Sequence, residues 1–194
     1  MSQSIEYHPL QPFIPEGSKL LMLGAFPPKQ EKWSMEFFYP NFINDMWRIF
    51  GYILHDNKEY FVDLDHKTFF KESIIKTLSH LGIALGDTAK SVVRLKDNAS
   101  DKFLQVEDTI DIHSMMEKLP NCIAIATTGE KAASVLASIT ESELPKVGSY
   151  IELNFGGNRI VRHYRMPSSS RAYPMKVEKK AEYYRQMLSE LGII

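Results

Sequence analysis

Apolar residues along this chain form short continuous runs separated by helical stripes. Leu20-Leu21-Met22-Leu23 is bounded by Lys19 and Gly24, and Ile83-Ala84-Leu85 stops at Gly86-Asp87. Cys122-Ile123-Ala124-Ile125-Ala126 ends in Thr127-Thr128-Gly129, and Ile160 to Tyr164 leads into a proline turn. Short apolar runs closed by turn formers predict strands buried on both faces. Between them, Ile43, Met46, Trp47, Ile49 and Phe50 predict a helix over Asn44–Phe50, with Asn41 or Asn44 as its cap. Phe69, Phe70, Ile74, Ile75, Leu78 and Leu81 predict another over Thr68–Leu81, closed by Gly82. Further helices are expected over Thr109–Leu119, before Pro120, over the small-residue stretch Glu130–Ile139, and over Val177–Leu191.

The remaining segments are more polar. Residues 1–18 hold Pro9, Pro12 and Pro15 and predict an extended arm packed through Leu10, Phe13 and Ile14. His55–Lys67 reads as a loop with a short strand or turn, Ala89–Asp101 as a loop crossing the strand ends, and Pro145–Asn158 as a hairpin or irregular excursion. Alternating strands and helices predict a three-layer α/β/α sandwich with a central, mostly parallel sheet of about four strands. Residues 1–194 then form a single domain. Phe26, Asp87, Thr128 and Ser168 all follow predicted strands, so this topology carries them to one edge of the sheet, where α/β folds place binding sites.

Composition narrows the class. With 44% hydrophobic and 24% charged residues, the chain has the make-up of a water-soluble globular protein. No apolar run approaches the roughly 20 residues that cross a bilayer, and MSQSIEYHPLQPFIP lacks the features of a secretory signal. The expectation is a cytoplasmic protein with no membrane partner. A single cysteine, Cys122, excludes an internal disulfide and any four-cysteine metal or cluster site. The six histidines are scattered, which argues against a metal site. Phosphate-loop, dinucleotide and nucleophile-elbow signatures are absent. The net charge of −1 conceals an asymmetry, because residues 159–180 alone carry +6. Such a segment fits contact with a phosphate backbone, or else is a solvated basic face.

Two proline turns hold the candidate chemistry, Gly24-Ala25-Phe26-Pro27-Pro28 and Met166-Pro167-Ser168-Ser169-Ser170-Arg171. In the second, serine hydroxyls and backbone N–H groups can hold phosphate oxygens, with Arg165 and Arg171 adding charge. Taken with Phe37-Phe38-Tyr39-Pro40, with Asn44 to Trp47, with Leu81 to Asp87, Arg94 and Ser100-Asp101, and with Thr127 to Ala132, these turns resemble the uracil-DNA glycosylase superfamily. The resemblance runs from about Lys19 to Leu191 and is strongest to its mismatch-specific and hypoxanthine-DNA branches.

What this resemblance implies is base excision from damaged or mismatched duplex DNA, or from a single strand, by a monomer that needs neither cofactor nor metal. It also implies that Pro27, Arg165, Met166, Pro167, Ser168, Ser169, Ser170 and Arg171 contact DNA. The departures are specific. Phe26 occupies the first-turn position that usually bears the catalytic carboxylate or amide, Pro28 replaces a glycine, and Thr128 replaces the base-reading asparagine. Hypoxanthine glycosylases use an asparagine near the following helix instead, and Asn44 resembles it if one residue is inserted within Tyr39–Ile43.

Breaking an N-glycosidic bond builds positive charge on the sugar and negative charge on the leaving base. The site therefore needs a group that positions water, donors for the departing anion, and an aromatic platform for the extruded base. Asn44 either positions water or is a helix cap. Asp87 either orients water or is a structural cap or ion-pair partner of Arg94. Phe37 or Phe38 stacks on the base, Phe26 walls the pocket, Thr128 bonds the base edge, and Ser34 either bonds the base or is a plain loop serine. The rival reading from another class is a glycosylase-like protein that binds nucleic acid or a nucleobase without cleaving it. A third is an unrelated small-molecule α/β enzyme.

Overall fold

A computed structural model describes residues 4–95 and 103–194. The chain runs β1 (Ile5–Tyr7), β2 (Leu20–Gly24), α1 (Met46–His55), β3 (Val62–Asp63), β4 (Thr68–Phe69), α2 (Lys71–Leu81), β5 (Ile83–Asp87) and β6 (Ala89–Arg94). It continues with β7 (Leu104–Thr109), α3 (Ile112–Glu117), β8 (Ala124–Thr128), α4 (Glu130–Ile139), β9 (Ser149–Asn154), β10 (Ile160–Met166) and α5 (Val177–Glu190).

Among the described residues the central sheet has the order β5-β2-β8-β10-β9. The four predicted strands are the parallel ones, paired Leu20↔Ile83, Leu20↔Ala124 and Arg162↔Ala124. β9 is added antiparallel as the far arm of a hairpin with β10. Every residue of β2 is buried, and alternate side chains enter different cores. Leu20 and Met22 pack with α1, α2 and α5 on one face, whereas Leu21 and Leu23 pack with α3 and α4 on the other. This two-sided burial is why β2 reads as a continuous apolar run rather than an alternating one.

The chain leaves β2 for β5 on one side and returns to β8 on the other. Their carboxyl ends therefore diverge at a topological switch point, which opens a crevice there.

Two expectations change. Ala89–Arg94 is not a loop: it forms β6, the middle of a second, antiparallel sheet with the order β1-β6-β7. Its partners are β1 of the N-terminal arm and β7, which takes the start of the expected Thr109 helix. β7 is the next element of the chain, whereas β1 is remote in sequence, so pairing with the arm completes this sheet. Thr68-Phe69 likewise pairs with Val62-Asp63 before α2 begins. The arm is held down through a bridge from Phe13 to Leu85, with Ile14 packed on the second core. Gly82 (φ 67°) ends α2, its N–H reaching Leu78 and Ser79 carbonyls, a conformation suited to a residue without Cβ.

Candidate functional site

Four parallel strands end at Gly24, Asp87, Thr128 and Met166, and all four residues line one cavity of about 940 Å³. That volume lies within the range of sites for nucleotide-sized ligands. The proline turn after β2, the loop Phe38–Asn44, the start of α4 and the serine loop after β10 form its walls.

The turn Ala25–Pro28 is held by β5 and β6. Thr88 N–H donates to the Gly24 carbonyl (2.8 Å), and Ala89 N–H to that of Ala25 (3.1 Å). Phe26 is buried against Ala89, Val92 and Leu104, with one side on the cavity. The Arg94 guanidinium lies 5.7 Å from its ring centre. Pro27 is buried, and its carbonyl accepts from Arg94 (2.7 Å), so its ring belongs to the cavity wall rather than to an exposed surface.

Asp87 does not pair with Arg94. Arg94 binds Glu6 of β1 (2.9 Å), while the Asp87 carboxylate accepts from His8 Nε2 at 2.7 Å. Burial opposes charge on His8, yet its hydrogen bond and attraction to Asp87 hold the imidazole above its usual pKa. Burial pushes Asp87 up, partly offset by His8 and the Gly24 N–H. Gly24 is required here by space: a Cβ would lie 2.3 Å from Asp87 Oδ1.

Thr128 Oγ1 hydrogen-bonds the Tyr39 hydroxyl at 2.9 Å, and both residues line the cavity. Two linked hydroxyls offer a donor or an acceptor to a ligand edge, depending on rotation. Phe38 also lines the cavity, packed 6.4 Å from the His8 ring. Phe37 does not. It stacks on Trp47 in the core beneath (6.1 Å), and Trp47 Nε1 donates to the Phe38 carbonyl (3.2 Å). Ser34 is also outside the cavity lining: its hydroxyl and N–H both reach the Pro40 carbonyl, and its own carbonyl accepts from Thr68 Oγ1. It shapes the loop that presents Phe38 and Tyr39.

Asn44 lines the cavity just before α1, and its Oδ1 accepts from Met46 N–H at 2.9 Å. The capping contact uses only the oxygen. Among the described residues its amide nitrogen has no hydrogen-bond partner, so that end is free for a ligand or water. Asp45, the next residue, is buried and binds Lys180 of α5 (2.9 Å) and Arg171 (3.0 Å). Lys180 is fully buried and also donates to the Ser170 carbonyl (2.7 Å), while Asp45 N–H donates to that of Ser169 (2.9 Å). This cluster ties the serine loop to the first turn of α1.

The loop residues divide accordingly. Met166 is in the apolar core, and Pro167 is buried with its carbonyl accepting from Tyr184, so neither projects from the loop. Ser169 is buried, though it lines the cavity. Ser168 and Ser170 hydroxyl oxygens accept from Ser170 N–H and Ala172 N–H, which leaves their protons free to donate. Arg171 remains half exposed beside Asp45, and Arg165 lines the cavity. Much of the basic segment is committed elsewhere. Arg159 donates to the Met116 and Leu119 carbonyls at the end of α3, Arg162 lies on the Tyr150 ring, and Lys180 is interior. The expected Ser100-Asp101 match lies outside the described residues.

His8, Tyr39, Asp45 and Lys180 were not among the expected site residues. Lys180 was discoverable, since it falls on the same stripe as Ala181, Tyr184 and Leu188. His8 has no local signal, because its partner is 79 residues away.

The fold and site together define an α/β/α protein with a polar, aromatic-walled crevice at a strand switch point. No family model matches the chain. A hypoxanthine DNA glycosylase from Methanosarcina acetivorans is 29% identical over 119 residues, covering 61% of this chain and 68% of that protein. The solution NMR structure of a candidate uracil DNA glycosylase from the same organism superposes with a TM-score of 0.64 at 21% identity, covering 97% and 99% of the two chains. The chain is thus similar in sequence to a hypoxanthine DNA glycosylase and shares the fold of a candidate uracil DNA glycosylase.

Proposed function

We propose that this protein is a DNA glycosylase, hydrolysing the N-glycosidic bond of a deaminated or damaged base of the uracil or hypoxanthine type. The observation that carries this reading is the convergence of Asn44, Asp87, Thr128 and the Phe26–Phe38 walls on one cavity at the strand ends. In this mechanism the base leaves the stack and enters between Phe26 and Phe38, which replace its stacking partners. The Tyr39–Thr128 hydroxyl pair meets its polar edge. The free amide of Asn44 holds the attacking water, and the Asp87 carboxylate takes its proton. Ser168, Ser170, Arg165 and Arg171 hold the flanking phosphates. The protein acts as a single-domain cytoplasmic monomer without a cofactor.

Duplexes and single strands containing uracil, hypoxanthine or xanthine, incubated with the protein and probed for abasic sites, test the proposal. Release from at least one is expected. The alternative is a non-cleaving binder, favoured by Phe26 at the usual catalytic position. Salt-sensitive DNA binding with no release from any substrate establishes it in place of the enzyme.

A further inference from the structure

The N-terminal arm brings His8 to the back of the cavity, where β1 is fastened to β6 by the pairs Ile5↔Val93 and Tyr7↔Ser91. His8 N–H donates to the Lys90 carbonyl (2.8 Å), and the ring nitrogen Nδ1 meets Leu10. The imidazole edge contacts Phe26 with ring centres 5.2 Å apart, and its other neighbour is Phe38. Those are the two aromatic walls of the cavity. Nε2 points at Asp87, whose second oxygen lies over the Cβ-free face of Gly24. The ring is therefore fixed on several sides, and its one charged partner is the carboxylate that faces the cavity. The nearby charges are Arg94 on β6 and Glu6 on β1, which satisfy each other, and the polar group facing from the loop is the Tyr39 hydroxyl near Gly24.

From this arrangement we infer that His8 is a positioning residue for Asp87: it fixes one carboxylate oxygen and leaves the carboxylate oriented to accept a proton from the attacking water. The inference rests on the glycosylase reading above. In the step concerned, the water oxygen bonds to C1′ of the sugar and the C1′–N bond breaks, its electron pair leaving with the base. The water proton passes to Asp87, and the base anion takes a proton from solvent. His8 supplies no proton to the substrate. Its role is to keep Asp87 ionised and aimed in a buried setting that otherwise favours the neutral acid.

Single-turnover base release measured against pH for wild type, His8→Gln, Asp87→Asn and the double variant tests this. Asp87→Asn lowers release at least about a hundredfold. His8→Gln keeps a donor but removes the positive charge, so the acid limb of the profile moves up by about one unit or more. In the Asp87→Asn background, His8→Gln then has no further effect. A His8→Gln profile that superimposes on wild type, or an undiminished effect in the double variant, overturns the inference and leaves the glycosylase reading standing. Absence of release by wild type from every substrate removes both. An NMR titration of the His8 ring in wild type and Asp87→Asn provides a reading independent of turnover. The ring is expected to titrate above 6.5 in wild type and lower in Asp87→Asn. Identical titrations overturn the inference.

Discussion

Asn44 shows how one side chain satisfies two demands. Its oxygen is committed to Met46 N–H, while the residue lines the cavity. Asn44→Ala is expected to reduce base release at least about a hundredfold, against a stability loss of only about 1 kcal/mol from the missing cap. Denaturation and single-turnover assays on the same variant separate those effects, and equal rates for the two proteins reduce Asn44 to a cap. His163 presents a different residue-scale problem. It is fully buried on β10, with Nε2 on Thr127 Oγ1 (3.0 Å) and Nδ1 without a partner among the described residues. Burial, with help from Arg165, lowers its pKa from 6.5 to about 4. The unfolded chain then binds the extra proton between those values, so stability is full above pH 6.5 and falls as the pH drops toward 4. The loss is on the order of 3 kcal/mol, a ceiling set by the full shift. Urea titrations across this window measure it, and His163→Gln should flatten the dependence.

Between elements, the contacts that matter join α1, the serine loop and α5. Asp45 and Lys180 are both interior, and a buried pair that loses one member costs about 3 kcal/mol or more because the remaining charge has no solvent. Lys180→Met should therefore destabilise strongly, even though Arg171 stays near Asp45, and should loosen the loop that Lys180 and Asp45 hold at Ser170 and Ser169. Lys179→Met is the control, since Lys179 pairs with Glu182 on the surface and should change little. Chemical denaturation compares the two, and hydrogen exchange at 168–172 reports the loop. Equal stabilities would show that the cluster does not anchor it. The sequence stripe of α5 already places Lys180 toward the core; what the stripe lacks is the identity of its partner, which lies 135 residues earlier.

For the molecule as a whole, net charge is a poor guide to how DNA would be held. Residues 159–180 carry most of the excess positive charge, but Arg159 and Lys180 are spent on carbonyls and on Asp45. The cations left beside the cavity are Lys131 at the start of α4, Arg165 and Arg171. DNA affinity should consequently fall with salt as expected for about three phosphate contacts, far fewer than the basic segment alone suggests. Lys131→Ala should reduce the slope of log affinity against log salt by about one. An unchanged slope places the DNA path away from α4. Among the described residues no helix is long and apolar enough to cross a membrane.

Local pattern determined the parallel strands, the long helices and the edge at which candidate groups gather, because burial on both faces and helical spacing are written in consecutive residues. Phe26, Asp87, Thr128 and Ser168 were placed on that edge from sequence alone, and all four line the cavity. Tertiary structure decided which partners they have. Asp87 meets His8 rather than Arg94, Thr128 meets Tyr39, and Ser34 and Phe37 support the wall without lining it. The second sheet also formed only through pairing between the arm, β6 and β7. The contacts of Asp87 with His8, of Thr128 with Tyr39 and of β6 with β1 join residues far apart in the chain. Their energies depend on which surfaces the fold brings within hydrogen-bonding distance, and no local periodicity encodes that.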